Sequence, residues 1–133
     1  MILFRAASRA TVFAIALLCS AAAASDLAPS VSPGELHAQQ QKGNAPQVVD
    51  VRTPEEYATG HVPGAVNIPH TDLADRLSEV EPQNGVVLYC MVGPRARIGE
   101  KILQRAGVSK IFHLEGGLAA WRQSGLPVEQ DSE

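Results

Sequence analysis

Three short runs rich in β-branched and apolar residues, each followed by a helix-like stretch, constrain this chain more than any other feature. Gln47 to Val51, Val86 to Tyr89 and Ile111 to Leu114 read as buried strands bounded by turn formers. Helical signals follow each run. Thr53-Pro54-Glu55-Glu56 has the form of a capping box, which starts a short helix that stops near Gly60. Ala96 to Ala106 places Ile98, Ile102 and Leu103 on one face, with Gly107 as the stop. Gly116-Gly117 lead into a last short helix that carries Trp121 and ends at Gly125. Apolar strands alternating with helices predict an α/β fold, a central, mostly parallel sheet flanked by helices on both faces. Ligands of such sheets bind beyond the carboxyl ends of the strands.

The remaining segments are assigned around that frame. Ser32-Pro33-Gly34-Glu35 is a capping box with proline at the first helical position, and it predicts a helix through about Gln41. Val62 and Ala65 to Ile68 form short extended pieces around a Pro63-Gly64 turn. Thr71 is placed to cap a helix on which Leu73, Leu77 and Val80 recur at helical spacing, broken by residues 82–85. One domain over residues 32–127 results, with a short flexible lead-in at 25–31 and a polar tail at 128–133. We find no internal repeat.

The first 24 residues read as a cleaved signal peptide. Arg5 and Arg9 make the start basic, Thr11 to Cys19 are apolar, and Ala21 to Ala24 supply small residues for cleavage. The apolar stretch falls short of the ~20 residues of a membrane span. Leu18 stands where a lipoprotein signal carries a small residue, so ordinary cleavage is favoured over acylation of Cys19. The mature chain is then a periplasmic or otherwise secreted domain of 109 residues, with no later segment fit to span a membrane. Its 9 Lys and Arg face 14 Asp and Glu, a net charge of −5. The basic residues are scattered, which disfavours nucleic acid as a partner.

Removal of the leader also removes Cys19 and leaves Cys90 as the sole cysteine. Cys90 lies where the run Val86 to Tyr89 gives way to the turn-like Met91-Val92-Gly93-Pro94-Arg95. A thiol there ends a buried strand, precedes a helix and has an arginine close by. Such surroundings favour the thiolate, the nucleophilic form. An unpaired cysteine in an oxidising compartment calls for a purpose. If residues 90–95 fold tightly ahead of a helix that begins near Ala96, successive N–H groups line a small anion-holding bowl. Gly93 supplies the backbone freedom, Pro94 withholds one donor, and Arg95 is placed to reach over the rim to an anionic substrate.

At this point the chain resembles the rhodanese, or sulfurtransferase, family. The resemblance rests on four segments in the family order, spread over residues 48–121. They are Val48-Val49-Asp50-Val51-Arg52-Thr53-Pro54-Glu55-Glu56-Tyr57, the stretch Gly60-His61-Val62-Pro63-Gly64-Ala65-Val66-Asn67-Ile68-Pro69, the cysteine turn 89–95, and Glu115-Gly116-Gly117-Leu118-Ala119-Ala120-Trp121. It implies a single rhodanese domain in which Cys90 takes a sulfane sulfur from a donor such as thiosulfate. Cys90 would hold that sulfur as a persulfide and pass it to a thiophilic acceptor, cyanide in the usual assay. The amides of Met91, Val92, Gly93 and Arg95 would cradle the outer sulfur, and the Arg95 side chain would hold a small anionic donor. The resemblance implies no metal and no organic cofactor, and it leaves the natural acceptor open between a thiol, cyanide and a protein.

Cys90 to Arg95 spans six residues, the loop length associated in this family with sulfur transfer. Related phosphatases and arsenate reductases carry seven, and Arg97 does not restore that count. Val92 and Ala96 stand where many active members carry serines, which points to weaker thiosulfate binding or a less polar donor.

Plainer roles compete at several positions. A cysteine after an apolar strand is often only a small core residue, and Arg95 can instead pair with Glu100 on the following helix. Asp50 at a strand end suits bonds to local backbone, and Arg52 suits pairing with Glu55 or Glu56. His61 fits a turn-organising role, while His37, His70 and His113 show no metal-like spacing. Trp121 reads as an anchor for the last helix. The competing functions are a non-enzymatic rhodanese-like binding or sensing module and a thiol–disulfide agent. The second has no resolving cysteine.

Overall fold

The computed structural model describes residues 26–131, so the signal-peptide reading falls outside the described residues. Five strands, all parallel, form one sheet in the order β1-β5-β4-β2-β3. They are β1 (Ser30–Val31), β2 (Gln47–Asp50), β3 (Val66–Asn67), β4 (Val86–Tyr89) and β5 (Ile111–Leu114). Four α-helices accompany them, α1 (Pro33–Gln41), α2 (Pro54–Ala58), α3 (Pro94–Arg105) and α4 (Gly117–Gln123). The strand order reverses between β2 and β4. The chain leaves β2 toward β3 on one side and leaves β4 toward β5 on the other. A crevice opens at the carboxyl ends of strands at such a switch point. Cys90 follows β4 at that switch point, and residues 50–52 end β2 beside it.

The alternation of side chains along the strands divides the core in two. Val49, Val86, Leu88, Cys90 and Ile111 face the side that also buries Leu73, Ala96 and Leu103. Val48, Val87, Tyr89 and Leu114 face the other side, with Leu36, Leu118 and Trp121. Both faces of the sheet are therefore covered, which is why β4 is apolar at every position. Helix α3 packs close to the sheet because Gly99 carries no side chain. A Cβ there would meet Leu88 at 2.8 Å.

The local signals for the helix starts hold. Ser32 Oγ accepts from the Glu35 N–H and Glu35 returns a bond to the Ser32 N–H, a complete capping box with Pro33 at the first position. Thr53 makes only half of one. Its hydroxyl accepts from the Glu56 N–H, but the Glu56 carboxylate is engaged elsewhere.

Three expectations are corrected. Residues 30–31 are not a free lead-in but an edge strand, with His113 N–H donating to Pro29 O at 2.9 Å and Glu115 N–H to Val31 O at 3.0 Å. The stretch after Thr71 is not an α-helix but two 3₁₀ turns, Leu73–Asp75 and Leu77–Glu79. No side chain caps either turn, and Arg76, at φ −119° and ψ 26°, leaves helical geometry between the two. Helix α3 begins at Pro94 rather than near Ala96, so Arg95 lies in its first turn. At Glu129 the polar tail also meets the domain. His61 and Glu129 exchange backbone bonds of 2.9 and 3.0 Å.

Candidate active site at the carboxyl end of β4

Cys90 is 1% exposed. The Gly93 N–H donates to its Sγ at 3.0 Å. Gly93 is the N-cap of the 12-residue helix α3, at φ +150°, so the sulfur sits at the partial positive end of that helix. Pro94 occupies the first helical position, where a missing N–H costs nothing to the helix. The amides of Arg95 and Ala96 follow in the first turn, where N–H groups have no intrahelical acceptor.

The floor of the loop comes from α4. Leu118 N–H donates to Cys90 O and Ala119 N–H to Met91 O, both at 3.0 Å. A trans peptide carries its N–H opposite its C=O. With both carbonyls turned toward α4, the N–H groups of Met91 and Val92 turn away from it. Gly117 makes this approach possible. A Cβ on it would stand 2.5 Å from Cys90 O and 2.6 Å from Met91 O, and its φ is +60°. The sequence reading gave the Gly116-Gly117 pair no part in the site. Its only local signal is a glycine at a helix start, and the reason for that glycine lies 27 residues earlier.

A buried ionic cluster ends β2 and supports the residue before the cysteine. Asp50 accepts from the Arg52 backbone N–H at 2.9 Å, from its guanidinium at 2.7 to 3.1 Å, and from the Tyr89 hydroxyl at 2.7 Å. Arg52 also donates to Gly60 O at 2.7 Å, and the Tyr89 oxygen accepts from the Val62 N–H at 3.0 Å. Burial is the largest single influence and lowers the Arg52 pKa, but the Asp50 hydrogen bond together with the charges of Asp50, Tyr89 and Glu56 turns the net shift upward. Burial, reinforced by the Asp50 charge, raises the Tyr89 phenol well above its ordinary range. Arg52 therefore pairs with Asp50 rather than with Glu55 or Glu56. Asp50 bonds backbone, as its position predicted, and two side chains besides.

The Arg95 side chain is already engaged by a neighbour. It is held by Glu56 of α2, with Nη1 donating at 2.9 and 3.2 Å. Both partners are partly exposed. The partner expected for Arg95 in a plain role, Glu100, is taken instead by Arg97 and His113. Val92 projects at the loop tip, 61% exposed, and Met91 packs in part against the core. His61 organises a turn, with Nδ1 3.0 Å from Tyr57 O and its ring stacked on Tyr57 at 3.8 Å. Two cavities open by the amino ends of the strands, one lined by Gln47, Val48 and Asn84, the other by Ser30, Val87 and Phe112. Neither includes Cys90. Among the described residues no cluster of His, Cys, Asp and Glu could hold a metal, and no helix is long and apolar enough to cross a membrane.

Residues 32–124 match the Rhodanese-like domain family, and the chain belongs to it. Curated relatives include sulfurtransferases. A "Sulfurtransferase" of Allochromatium vinosum is 37% identical over 61% of this chain and 76% of its own. The "Thiosulfate sulfurtransferase GlpE" of Pseudomonas aeruginosa is 30% identical over 81% of this chain and 96% of its own. Among solved structures, the rhodanese-like domain of the Anabaena sp. Alr3790 protein superposes with a TM-score of 0.71 at 31% identity, covering 79% of this chain and 81% of that one. The match spans only 45 to 60% of the length of three other curated relatives.

Proposed function

We propose that this protein moves a sulfane sulfur from a small anionic donor, thiosulfate being the model, to a thiophilic acceptor through a persulfide on Cys90. The observation that carries the reading is the Gly93 N–H bonded to the Cys90 sulfur at the N-terminus of α3. In the first step the Cys90 thiolate attacks the outer sulfur of thiosulfate. A new S–S bond forms, the old one breaks, and sulfite departs with the electron pair. In the second, cyanide attacks the outer sulfur of the persulfide. A C–S bond forms, thiocyanate leaves, and the electron pair of the broken S–S bond restores the Cys90 thiolate. The amides of Met91, Val92, Gly93 and Arg95 stabilise the outer sulfur as charge builds there. The Arg95 side chain receives the donor after exchanging Glu56 for it. We also propose that the mature protein acts in the periplasm or outside the cell, as the composition of residues 1–24 supports.

Incubation with thiosulfate should add about 32 Da, one sulfur atom, to the protein, and cyanide should then release thiocyanate. Cys90→Ala should abolish both with the fold intact. A folded wild-type protein whose accessible Cys90 gains no sulfur from thiosulfate or polysulfide would refute the reading. The intact mass of protein taken from its native compartment tests the processing of the leader.

A further inference from the structure

Behind the cysteine loop, on the face of the sheet that α3 covers, lies a buried polar pair that the sulfur chemistry above does not use. His113 of β5 is 6% exposed and Glu100 of α3 is 2% exposed. His113 Nδ1 is hydrogen-bonded to Glu100 Oε1. The other Glu100 oxygen accepts from Arg97 at 3.0 Å, and the same Arg97 nitrogen donates to Ala28 O at 3.1 Å. The outer end of this chain of contacts is thus satisfied. At the inner end, His113 Nε2 makes no hydrogen bond to a described residue, and it is not a buried unsatisfied atom. It faces Gly93, where an added Cβ would stand 3.6 Å from Nε2 and 3.7 Å from Cε1. Gly93 is the residue whose N–H addresses the Cys90 sulfur.

A buried carboxylate and imidazole cost more than an apolar pair of the same size. Core filling therefore does not account for them. We infer that His113, oriented by Glu100, is a positioning residue of the cysteine loop. Its Nε2 edge braces Gly93 and keeps the Gly93 N–H on the sulfur. The link to turnover rests on the sulfur-transfer reading; the link to thiol reactivity does not.

The test uses the whole chain. In wild-type protein, the Gly93 Hα protons should show nuclear Overhauser contacts to the His113 Hε1 proton, since the Cβ direction of Gly93 points at that ring edge. His113→Asn keeps a donor for Glu100 but withdraws the Nε2 edge, so Cys90 should react with iodoacetamide roughly tenfold more slowly. His113→Gln, which reaches the Nε2 position, should recover part of that loss. Absence of those contacts in the wild-type protein would overturn the inference, whether or not the variants fold. So would a folded His113→Asn protein alkylated within about twofold of wild type. If wild type and variants show the expected alkylation but no donor yields a persulfide, the bracing role stands and the sulfur-transfer reading falls.

Discussion

Arg95 and Glu56 set the resting state of the site. Their ion pair is partly exposed, and pairs of that kind contribute only about 0–1 kcal/mol. An incoming anion can therefore displace Glu56 at small cost, yet the carboxylate still competes with it. Glu56→Gln should lower the KM for thiosulfate by roughly two- to fivefold while leaving the melting temperature nearly unchanged. Steady-state kinetics at fixed cyanide measures this, and an unchanged or raised KM would remove Arg95 from the donor site. Asp50 and Arg52, by contrast, are buried and mutually satisfied. Their bonds hold Tyr89, and so the backbone just before Cys90, in place.

At the scale of elements, the loop depends on α4 more than on its own residues. Leu118 and Ala119 hold its first two carbonyls, and they reach them only because Gly117 is a glycine. Gly117→Ala should cost about 2–4 kcal/mol, read as a lower urea midpoint, and should remove sulfur transfer. Ser32→Ala provides the contrast. It breaks the cap of α1, remote from the loop, and should cost about 1 kcal/mol with turnover per folded molecule unchanged. Equal effects of the two substitutions on turnover would contradict this division. The helix that gave way to 3₁₀ turns around Leu73 belongs to the same scale. Leu73 is buried there as helical spacing predicted, although the backbone that carries it is not α-helical.

For the molecule as a whole, pH acts through the buried phenol of Tyr89. Burial first, and then the Asp50 charge, raise its pKa above the ordinary value of 10.0. The folded state therefore holds that proton more tightly than the unfolded chain does. The stability contributed by this group is complete below pH 10 and is lost as pH rises beyond it. Burial raises the pKa of Tyr57 as well, in the same sense. Urea midpoints should fall as pH climbs past about 10. Tyr89→Phe should be less stable near neutrality, because Asp50 loses a donor and Val62 an acceptor, but its alkaline decline should be shallower. An equally steep decline in that variant would assign the effect to another group.

Features that depend on neighbours in the chain were legible in the sequence. The runs at 47–51, 86–89 and 111–114 announce buried strands because strands covered on both faces are rich in β-branched and apolar residues. Ser32 and Thr53 announce helix starts because a cap reaches only three residues ahead. The sequence of residues 90–95 places a cysteine, a glycine and a helix start in one turn, which is enough to locate the site. Pairings between distant residues were not legible, because a carboxylate carries no mark of which cation it will meet. Glu56 meets Arg95 across 39 residues, and His113 meets Glu100 across 13. Ser30-Val31 becomes a strand only because β5 offers it a free edge. The local chain thus determined the strands, the caps and the position of the nucleophile. Only the crossover that lays α3 and α4 around β4 decided what touches the loop, because those contacts depend on three-dimensional proximity rather than on spacing along the chain.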